Sequence, residues 1–259
     1  MLQKAFTDMM DREVKINFPP RRIISLVPSQ TELLYELGLK DQIIGQTKFC
    51  IHPYSSFKYA VKIGGTKQVK YDVIETLKPD LIIGNKEENT QEIIETLALK
   101  YPVWLSDIYT IEDNYKMIEQ IGLLCNVHEN ALTIIQEIKS NFNHLNHETQ
   151  GTCLYLIWNN PFMAAGRNTF INHMLQKAGF QNVLEIGSRY PEVSEKVIKT
   201  LNPQYVFLSS EPFPFKEKHI ETLQKILPEA KIKLVDGEMF SWYGSRIKLA
   251  PSYFEELKF

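Results

Sequence analysis

Apolar residues recur at spacings of three and four along residues 127–148, near the middle of the chain. Such spacing puts them on one face of a helix, while most polar residues of the stretch fall elsewhere. The stretch contains neither Pro nor Gly, and Gly151 follows its end. At 1.5 Å per residue the helix would be roughly 30 Å long, about the width of a small domain. The residues that share the apolar face are Ala131, Ile134, Ile135, Ile138, Phe142 and Leu145.

Short apolar runs alternate with helical patterns on both sides of this helix. Before it, the pattern predicts strands at 14–18, 23–27, 43–45, 81–83 and 103–105, and helices at 29–37, 71–77, 90–99 and 111–124. After it, the pattern predicts strands at 154–158, 183–185, 205–208 and 231–235, and helices at 169–178, 195–201, 216–227 and the C-terminus. Strand–helix alternation of this kind is typical of mainly parallel sheets.

The predicted fold class is therefore α/β, with two Rossmann-like lobes joined by one long backbone helix. We expect an N-terminal lobe over 1–124, the linking helix over 125–150 and a C-terminal lobe over 151–259. Such an arrangement points to a ligand held between the lobes.

Composition and charge exclude several classes of function. The chain is 44% hydrophobic and 23% charged, which is ordinary for a globular protein. Its net charge of −2 provides no basic field for nucleic acid. No apolar run approaches the ~20 residues of a membrane span. The three cysteines, Cys50, Cys125 and Cys153, are too widely spaced for a disulfide framework or a zinc site.

The beginning of the chain does not look like a secretion signal. Asp8, Asp11 and Glu13 interrupt the place where an apolar region would be. As the sequence stands we expect a cytoplasmic protein, and a periplasmic or cell-surface one if a leader was removed.

Polar and aromatic residues collect after the predicted strands, where open parallel sheets bind ligands. The candidate ligand-binding residues before the linking helix are Pro28, Ser29, Phe49, His52, Gly65, Asn85, Lys86 and Asp107. Those after it are Trp158, Asn160, Phe162, Arg167, Arg189, Phe213, Glu238, Phe240, Trp242 and Tyr243. A wide, flat, mostly apolar ligand would suit this aromatic lining.

Three aromatic positions require a choice between core packing and binding. For Trp158 both interpretations stay open, and Phe207 is expected in the core. Trp242 and Tyr243 lie in a stretch bracketed by Gly237 and Gly244, which favours an exposed binding loop. On that interpretation, replacing Trp242 with Ala weakens binding and leaves thermal stability almost unchanged.

Catalytic and metal-binding interpretations find little support. Cys50 and His52 are two potential metal ligands with no third residue in view. No serine has the G-x-S-x-G context of a nucleophile, and Gly64–Gly65 indicates a turn and no phosphate loop. We expect no enzyme activity and no metal site.

Three segments carry a resemblance to a known family. They are FTDMMDREVKINFPPRRIISLVPSQTELLYELGL, IGGTKQVKYDVIETLKPDLIIGN and NPQYVFLSSEPF. Residues 7 to about 255 resemble the helical-backbone (class III) substrate-binding proteins of ABC importers, which carry cobalamin, ferric siderophores and haem. The segment NNPFMAAGRN and the closing aromatic loop are most similar to the cobalamin-binding branch.

The resemblance implies a monomeric binder of a small-molecule metal chelate, with no intrinsic cofactor and no nucleic-acid partner. Cobalamin or another metal chelate would be the ligand, and an ABC transporter permease the partner. A ferric-siderophore or haem binder remains an alternative, as does a cytoplasmic corrinoid-handling protein or enzyme not coupled to a transporter.

The family docks to its transporter through one acidic residue on each lobe. Asp72 matches the first position, although it could instead cap the helix over 71–77. At the second position this chain has Lys196, with Glu195 adjacent. Asp72 and Glu195 are therefore the candidate docking residues.

Overall fold

The computed structural model describes residues 2–55, 58–145, 148–184 and 187–257, and the chain forms two compact units. Unit 1 consists of Met1–Ile108, Glu112–Lys139 and Tyr243–Arg246. Unit 2 consists of Tyr109–Ile111, Ser140–Trp242 and Ile247–Phe259. No helix in the described parts of the chain has both the length and the apolar composition needed to cross a bilayer.

Unit 1 contains a parallel sheet of five strands and a separate two-stranded hairpin. The hairpin is formed by β1 (Leu2–Thr7) and β2 (Glu13–Phe18). The sheet has the order β5-β4-β3-β6-β7. Its strands are β3 (Ile23–Ser25), β4 (Ile43–Gln46), β5 (Val61–Lys62), β6 (Leu81–Asn85) and β7 (Val103–Ser106).

The helices of the first half of the chain follow these strands. They are α1 (Pro28–Glu36), α2 (Tyr71–Leu77), α3 (Gln91–Ala98), α4 (Ile111–Leu124) and α5 (His128–Asn143). Every residue of β6 is buried, as expected for a central parallel strand covered on both faces. The core of the sheet includes Ile24, Ile82 and Ile94.

Unit 2 contains a second parallel sheet, in the order β10-β8-β11-β12, with β9 antiparallel to β8. The strands are β8 (Gly151–Trp158), β9 (Met163–Ala164), β10 (Phe180–Asn182), β11 (Tyr205–Ser209) and β12 (Lys231–Val235). The helices are α6 (Phe170–Lys177), α7 (Glu195–Leu201), α8 (Glu217–Ile226), α9 (Glu238–Ser241) and α10 (Ala250–Glu256), with a 3₁₀ turn at Ser245–Leu249.

The predicted α/β class with mainly parallel sheets is confirmed. The bounds of α2, α4, α7 and β12 agree with the prediction. The linking helix is shorter than expected, because α5 ends at Asn143, and residues 146–147 of the predicted range lie outside the described residues. The strand expected at 183–185 is instead β10, three residues earlier, and residue 185 is not described. Strands β1, β5 and β9 and helix α9 were not predicted from the sequence pattern.

Helix α1 begins one residue earlier than predicted. Pro28 occupies its first turn, where the missing N–H costs no hydrogen bond, and Val27 precedes it without a side-chain cap. Ser29 therefore lies inside the helix and does not cap it. Glu32 forms no capping box and instead accepts two hydrogen bonds of 2.7 Å from the Arg246 guanidinium. In unit 2, Ser194 caps α7 by accepting a hydrogen bond from the Val197 N–H at 3.3 Å.

The turn between β1 and β2 is organised by one buried carboxylate, Asp8. Its Oδ1 accepts from the backbone N–H groups of Met10 and Arg12. Its Oδ2 accepts from the Arg12 guanidinium at 2.9 and 2.6 Å and from the Leu105 N–H at 3.2 Å. Asp8 thus joins the hairpin to strand β7.

Candidate functional site

Each sheet has a point where the chain reverses its direction of winding. In unit 1, β3 has β4 on one side and β6 on the other. In unit 2, β8 has β10 on one side and β11 on the other. The crevice beyond the carboxyl ends of the strands at such a point is where open α/β sheets bind ligands. The ends of β3 and β6, and of β8 and β11, are thus the candidate binding edges.

The edge of unit 1 is held together by Asn85, the last residue of β6. Its side-chain amide donates to Ser106 Oγ at 2.9 Å, and its oxygen accepts from the N–H groups of Glu87 and Glu88. Asn85 is 1% exposed. Since its polar atoms are used inside the unit, Asn85 positions the strand ends, and its geometry does not support the predicted role as a ligand contact.

At this edge Lys86 is exposed and Asp107 is half-buried. Lys86 Nζ lies 2.7 Å from Asp107 Oδ2 and joins the ends of β6 and β7. Pro28 is half-buried and Ser29 is buried, and their predicted ligand-binding roles stay predictions.

The loop after β4 presents Phe49 to solvent. The ring is 50% exposed, and Lys48 Nζ lies 5.0 Å from its centroid. A Cβ atom at Gly65 would come within 3.1 Å of this ring, so the glycine leaves room for it. His52 is half-buried nearby in sequence, before a cis peptide bond with Pro53.

Cys50 is a buried thiol in the same loop and contacts the hydroxyl groups of Thr31 and Thr47. Burial raises its pKa, so the thiol form is favoured. Among the residues that the structure describes, no group of three or more His, Cys, Asp or Glu side chains is arranged to hold a metal ion.

The edge of unit 2 carries an aromatic pair, Trp158 at the end of β8 and Phe213 after β11. Their ring centroids are 5.6 Å apart in an edge-to-face arrangement. Trp158 is 41% exposed, so the core interpretation of this residue is wrong, whereas Phe207 is buried as expected. The Trp158–Phe213 pair therefore offers an accessible apolar surface at the point where unit 2 reverses its winding.

Two further predicted residues flank this pair. Asn160 is exposed and adopts a positive φ of 63° before a cis peptide bond. Phe162 is half-buried and packs on the core of unit 2.

The stretch that contains Phe240, Trp242 and Tyr243 differs from the expected exposed loop. Helix α9 occupies most of it, and Phe240 packs 5.1 Å from the ring of Tyr155 in the core. Trp242 is 8% and Tyr243 7% exposed, so the predicted exposure is wrong. The physical reason is Gly237, where a Cβ would collide with Ser209 Oγ, because the chain here lies against the end of β11.

Glu211 fixes α9 to the loop that carries Phe213. Its Oε1 accepts from Trp242 Nε1 at 2.7 Å and from Ser241 Oγ at 2.8 Å. Burial raises the pKa of Glu211, and the nearby Glu238 and Asp236 raise it further. Glu211 was not among the residues predicted from the sequence, although its place between the end of a strand and Pro212 was a signal. Glu238 is half-buried, and its predicted ligand role stays a prediction.

Replacing Glu211 with Gln should make the stability of the folded protein less dependent on pH. Since the pKa of Glu211 is raised on folding, its contribution to stability is fully present below the ordinary value of 4.5 and is lost as the pH rises through the folded value. The Gln side chain still accepts from Trp242 without a buried charge. We expect the stability of E211Q relative to wild type to increase by about 1 kcal/mol between about pH 4.5 and 8 in urea unfolding.

The exposed Glu221 on α8 provides the matched control, because E221Q removes the same charge from solvent. If the difference in stability between E211Q and wild type were constant across this pH range, the Glu211 carboxyl would titrate alike in the folded and unfolded states.

The remaining predicted residues lie on the surface of their units. Arg167 is exposed and Arg189 half-buried, and both line one cavity in unit 2. Asp72 is exposed in the first turn of α2, and Lys70 occupies the N-cap position, so the capping alternative for Asp72 is wrong. Glu195 is exposed in the first turn of α7. The docking roles stay predictions.

Comparison with known proteins identifies the family. Residues 23–230 match the family model described as periplasmic binding protein. The chain belongs to the periplasmic binding protein family. The resemblance to class III substrate-binding proteins of ABC importers is thereby confirmed.

Relatives within this family span most of the chain. An uncharacterized ABC transporter substrate-binding lipoprotein, YvrC of Bacillus subtilis, is 25% identical and matches 77% of this chain and 67% of its own length. A vitamin B12-binding protein of Pectobacterium carotovorum is 23% identical and matches 89% of this chain and 86% of its own length. These relatives are solute-binding proteins.

Two solved structures show the same fold. A possible iron-binding (periplasmic solute-binding) protein from Staphylococcus epidermidis has a TM-score of 0.77 at 25% identity, covering 93% of this chain and 98% of that one. A periplasmic haem-binding protein from Pseudomonas aeruginosa has a TM-score of 0.76 at 18% identity, covering 91% and 93% of the two chains.

Proposed function

We propose that this protein binds a cobalamin-like corrinoid without chemical turnover and delivers it to an ABC transporter. The observation that carries the proposal is the Trp158–Phe213 pair, an accessible aromatic surface at the binding edge of unit 2. The vitamin B12-binding relatives support the choice of ligand. The chelate is the transported ligand in this proposal, with no resident cofactor.

A flat chelate suits this edge for a physical reason. Aromatic side chains supply a large contact area at low conformational cost, and burying apolar surface yields about 25 cal/mol per Å². The Trp158 side chain loses little conformational entropy on binding, because its partner Phe213 already restricts one side of the ring. In unit 1, Phe49 offers a second exposed ring beyond β4.

Haem or a ferric siderophore is the second candidate ligand. Its support is the haem-binding protein and the possible iron-binding protein that share the fold. Either ligand would use the same aromatic edge, so the polar groups at the periphery of each chelate decide which one binds more tightly.

The relatives also support a location outside the cytoplasmic membrane, since they are periplasmic or lipoproteins. The same proposal includes docking to the transporter through Asp72 and Glu195. It also includes a monomeric state of the protein. Both acids are exposed on first turns of helices, where a partner could reach them.

Calorimetric titration with cobalamin, cobinamide, haem and a ferric siderophore tests the proposal. We expect cobalamin to bind with a Kd below about 100 μM, equivalent to roughly −5.5 kcal/mol. Tighter binding of haem or the siderophore would select the second candidate. Absence of binding by all four would contradict a chelate-binding function.

A further inference from the structure

Unit 2 contains a cavity of about 590 Å³ whose lining is mainly polar. It lies at the start of α6, and residues 109–110 and Arg189 complete its wall. The residues that line it include two arginines, Arg167 and Arg189, and three residues with side-chain amides, Asn168, Asn172 and Gln176. The described residues that line the cavity include no Asp or Glu.

The backbone brings the two arginines to the same place. The Gly166 N–H donates to the Arg189 carbonyl at 2.8 Å, and the Ala164 N–H donates to Pro191 O at 3.1 Å. A Cβ atom at Gly166 would lie 2.7 Å from Ser188 O, which is too close. The glycine therefore permits the segments before Arg167 and around Arg189 to run side by side.

The Arg189 guanidinium is held in a defined plane. It stacks on the Tyr109 ring, 4.7 Å from the centroid, and its Nε donates to Asn168 O at 2.8 Å. Stacking and hydrogen bonding restrict the rotamers of a long side chain before any ligand arrives. A guanidinium that is already oriented loses less conformational entropy when it binds a planar acceptor.

We infer that this cavity binds an oxyanion, a carboxylate or phosphate group. Guanidinium groups match the geometry of such anions through paired N–H donors, and amide N–H groups satisfy the remaining oxygen lone pairs. The anion is either a substituent of the chelate or a free small molecule. The first of these sources rests on the proposed function.

The test compares ligands with and without the oxyanion. Cobalamin carries a phosphodiester, which cobinamide lacks, and haem carries two carboxylates, which its dimethyl ester lacks. Sodium phosphate and citrate are the free anions. Calorimetric titrations use the wild type, Arg189→Gln and Arg167→Gln, with Lys225→Gln on the exposed end of α8 as the charge-matched control.

We expect each arginine substitution to lower the affinity for the oxyanion-bearing chelate at least about tenfold. The affinity for the oxyanion-free form should fall less than about threefold. K225Q should match the wild type for every ligand. R167Q keeps the experiment informative if R189Q folds poorly, since Arg167 is exposed. Unchanged melting temperatures would show that the loss is local.

The outcomes separate this inference from the proposed function. If the chelate binds wild type and arginine variants equally, and neither phosphate nor citrate binds, the oxyanion site is refuted and the chelate function stands. If no chelate binds, but phosphate or citrate binds and the variants lose it, the oxyanion site stands alone. Equal losses for ligands with and without the oxyanion, or no binding of any kind, overturn the inference.

Discussion

Replacing Trp242 with Ala should lower the free energy of unfolding by about 3–5 kcal/mol, the usual cost of removing a large buried ring. The Trp242 side chain is almost fully buried, and its Nε1 donates to Glu211 Oε1 at 2.7 Å. The substitution creates a cavity and removes one of the two donors to a buried carboxylate. Urea unfolding followed by circular dichroism measures the effect.

Trp158→Ala is the matched control, because it removes the same side chain from an accessible position in the same unit. It should change stability by less than about 1 kcal/mol. Trp242→Phe separates the ring from the hydrogen bond, and it should recover part of the loss. If W242A and W158A were equally stable, Trp242 would not belong to the folded core.

Asp8→Asn should destabilise the protein by about 3 kcal/mol, although it only replaces one carboxylate oxygen with an amide NH₂ group. Asp8 Oδ2 accepts three hydrogen bonds, two from the Arg12 guanidinium and one from the Leu105 N–H. An amide placed there either turns its N–H₂ toward these donors or leaves the Met10 and Arg12 N–H groups unpaired. Thermal and urea unfolding report the loss.

Asp11→Asn in the same turn is the control for this substitution. Asp11 is exposed at a φ of 57°, a backbone conformation that Asn also tolerates. It should be nearly neutral. A D8N variant as stable as D11N would show that the contacts of Asp8 contribute little to folding.

The parallel sheets were predictable because their strands are buried on both faces. Runs such as Leu81-Ile82-Ile83 read as continuous apolar segments, and the intervening helices show regular spacing. Helix α9 was not predictable in this way, since four residues are too few to show a helical period. The burial of Trp242 depends on Glu211, 31 positions away along the chain.

The candidate site was predictable at the level of strand ends and less so at the level of side chains. Trp158 ends β8 and Phe213 follows β11, at the carboxyl ends of neighbouring parallel strands. Asn85 lies at a strand end as well, but its hydrogen bonds turn its polar atoms inward. Sequence position fixes the edge on which a residue lies, whereas the packing of neighbouring loops decides which way its side chain faces.

Binding of the chelate by Trp158→Ala tests directly whether the Trp158–Phe213 pair forms the chelate site. The ligand selected by titration of the wild type is titrated into W158A under identical conditions. We expect the binding free energy to weaken by about 1–3 kcal/mol, the range for a well-placed aromatic anchor, while the melting temperature stays close to that of the wild type. Unchanged affinity in a folded W158A would contradict a chelate site at the Trp158–Phe213 pair.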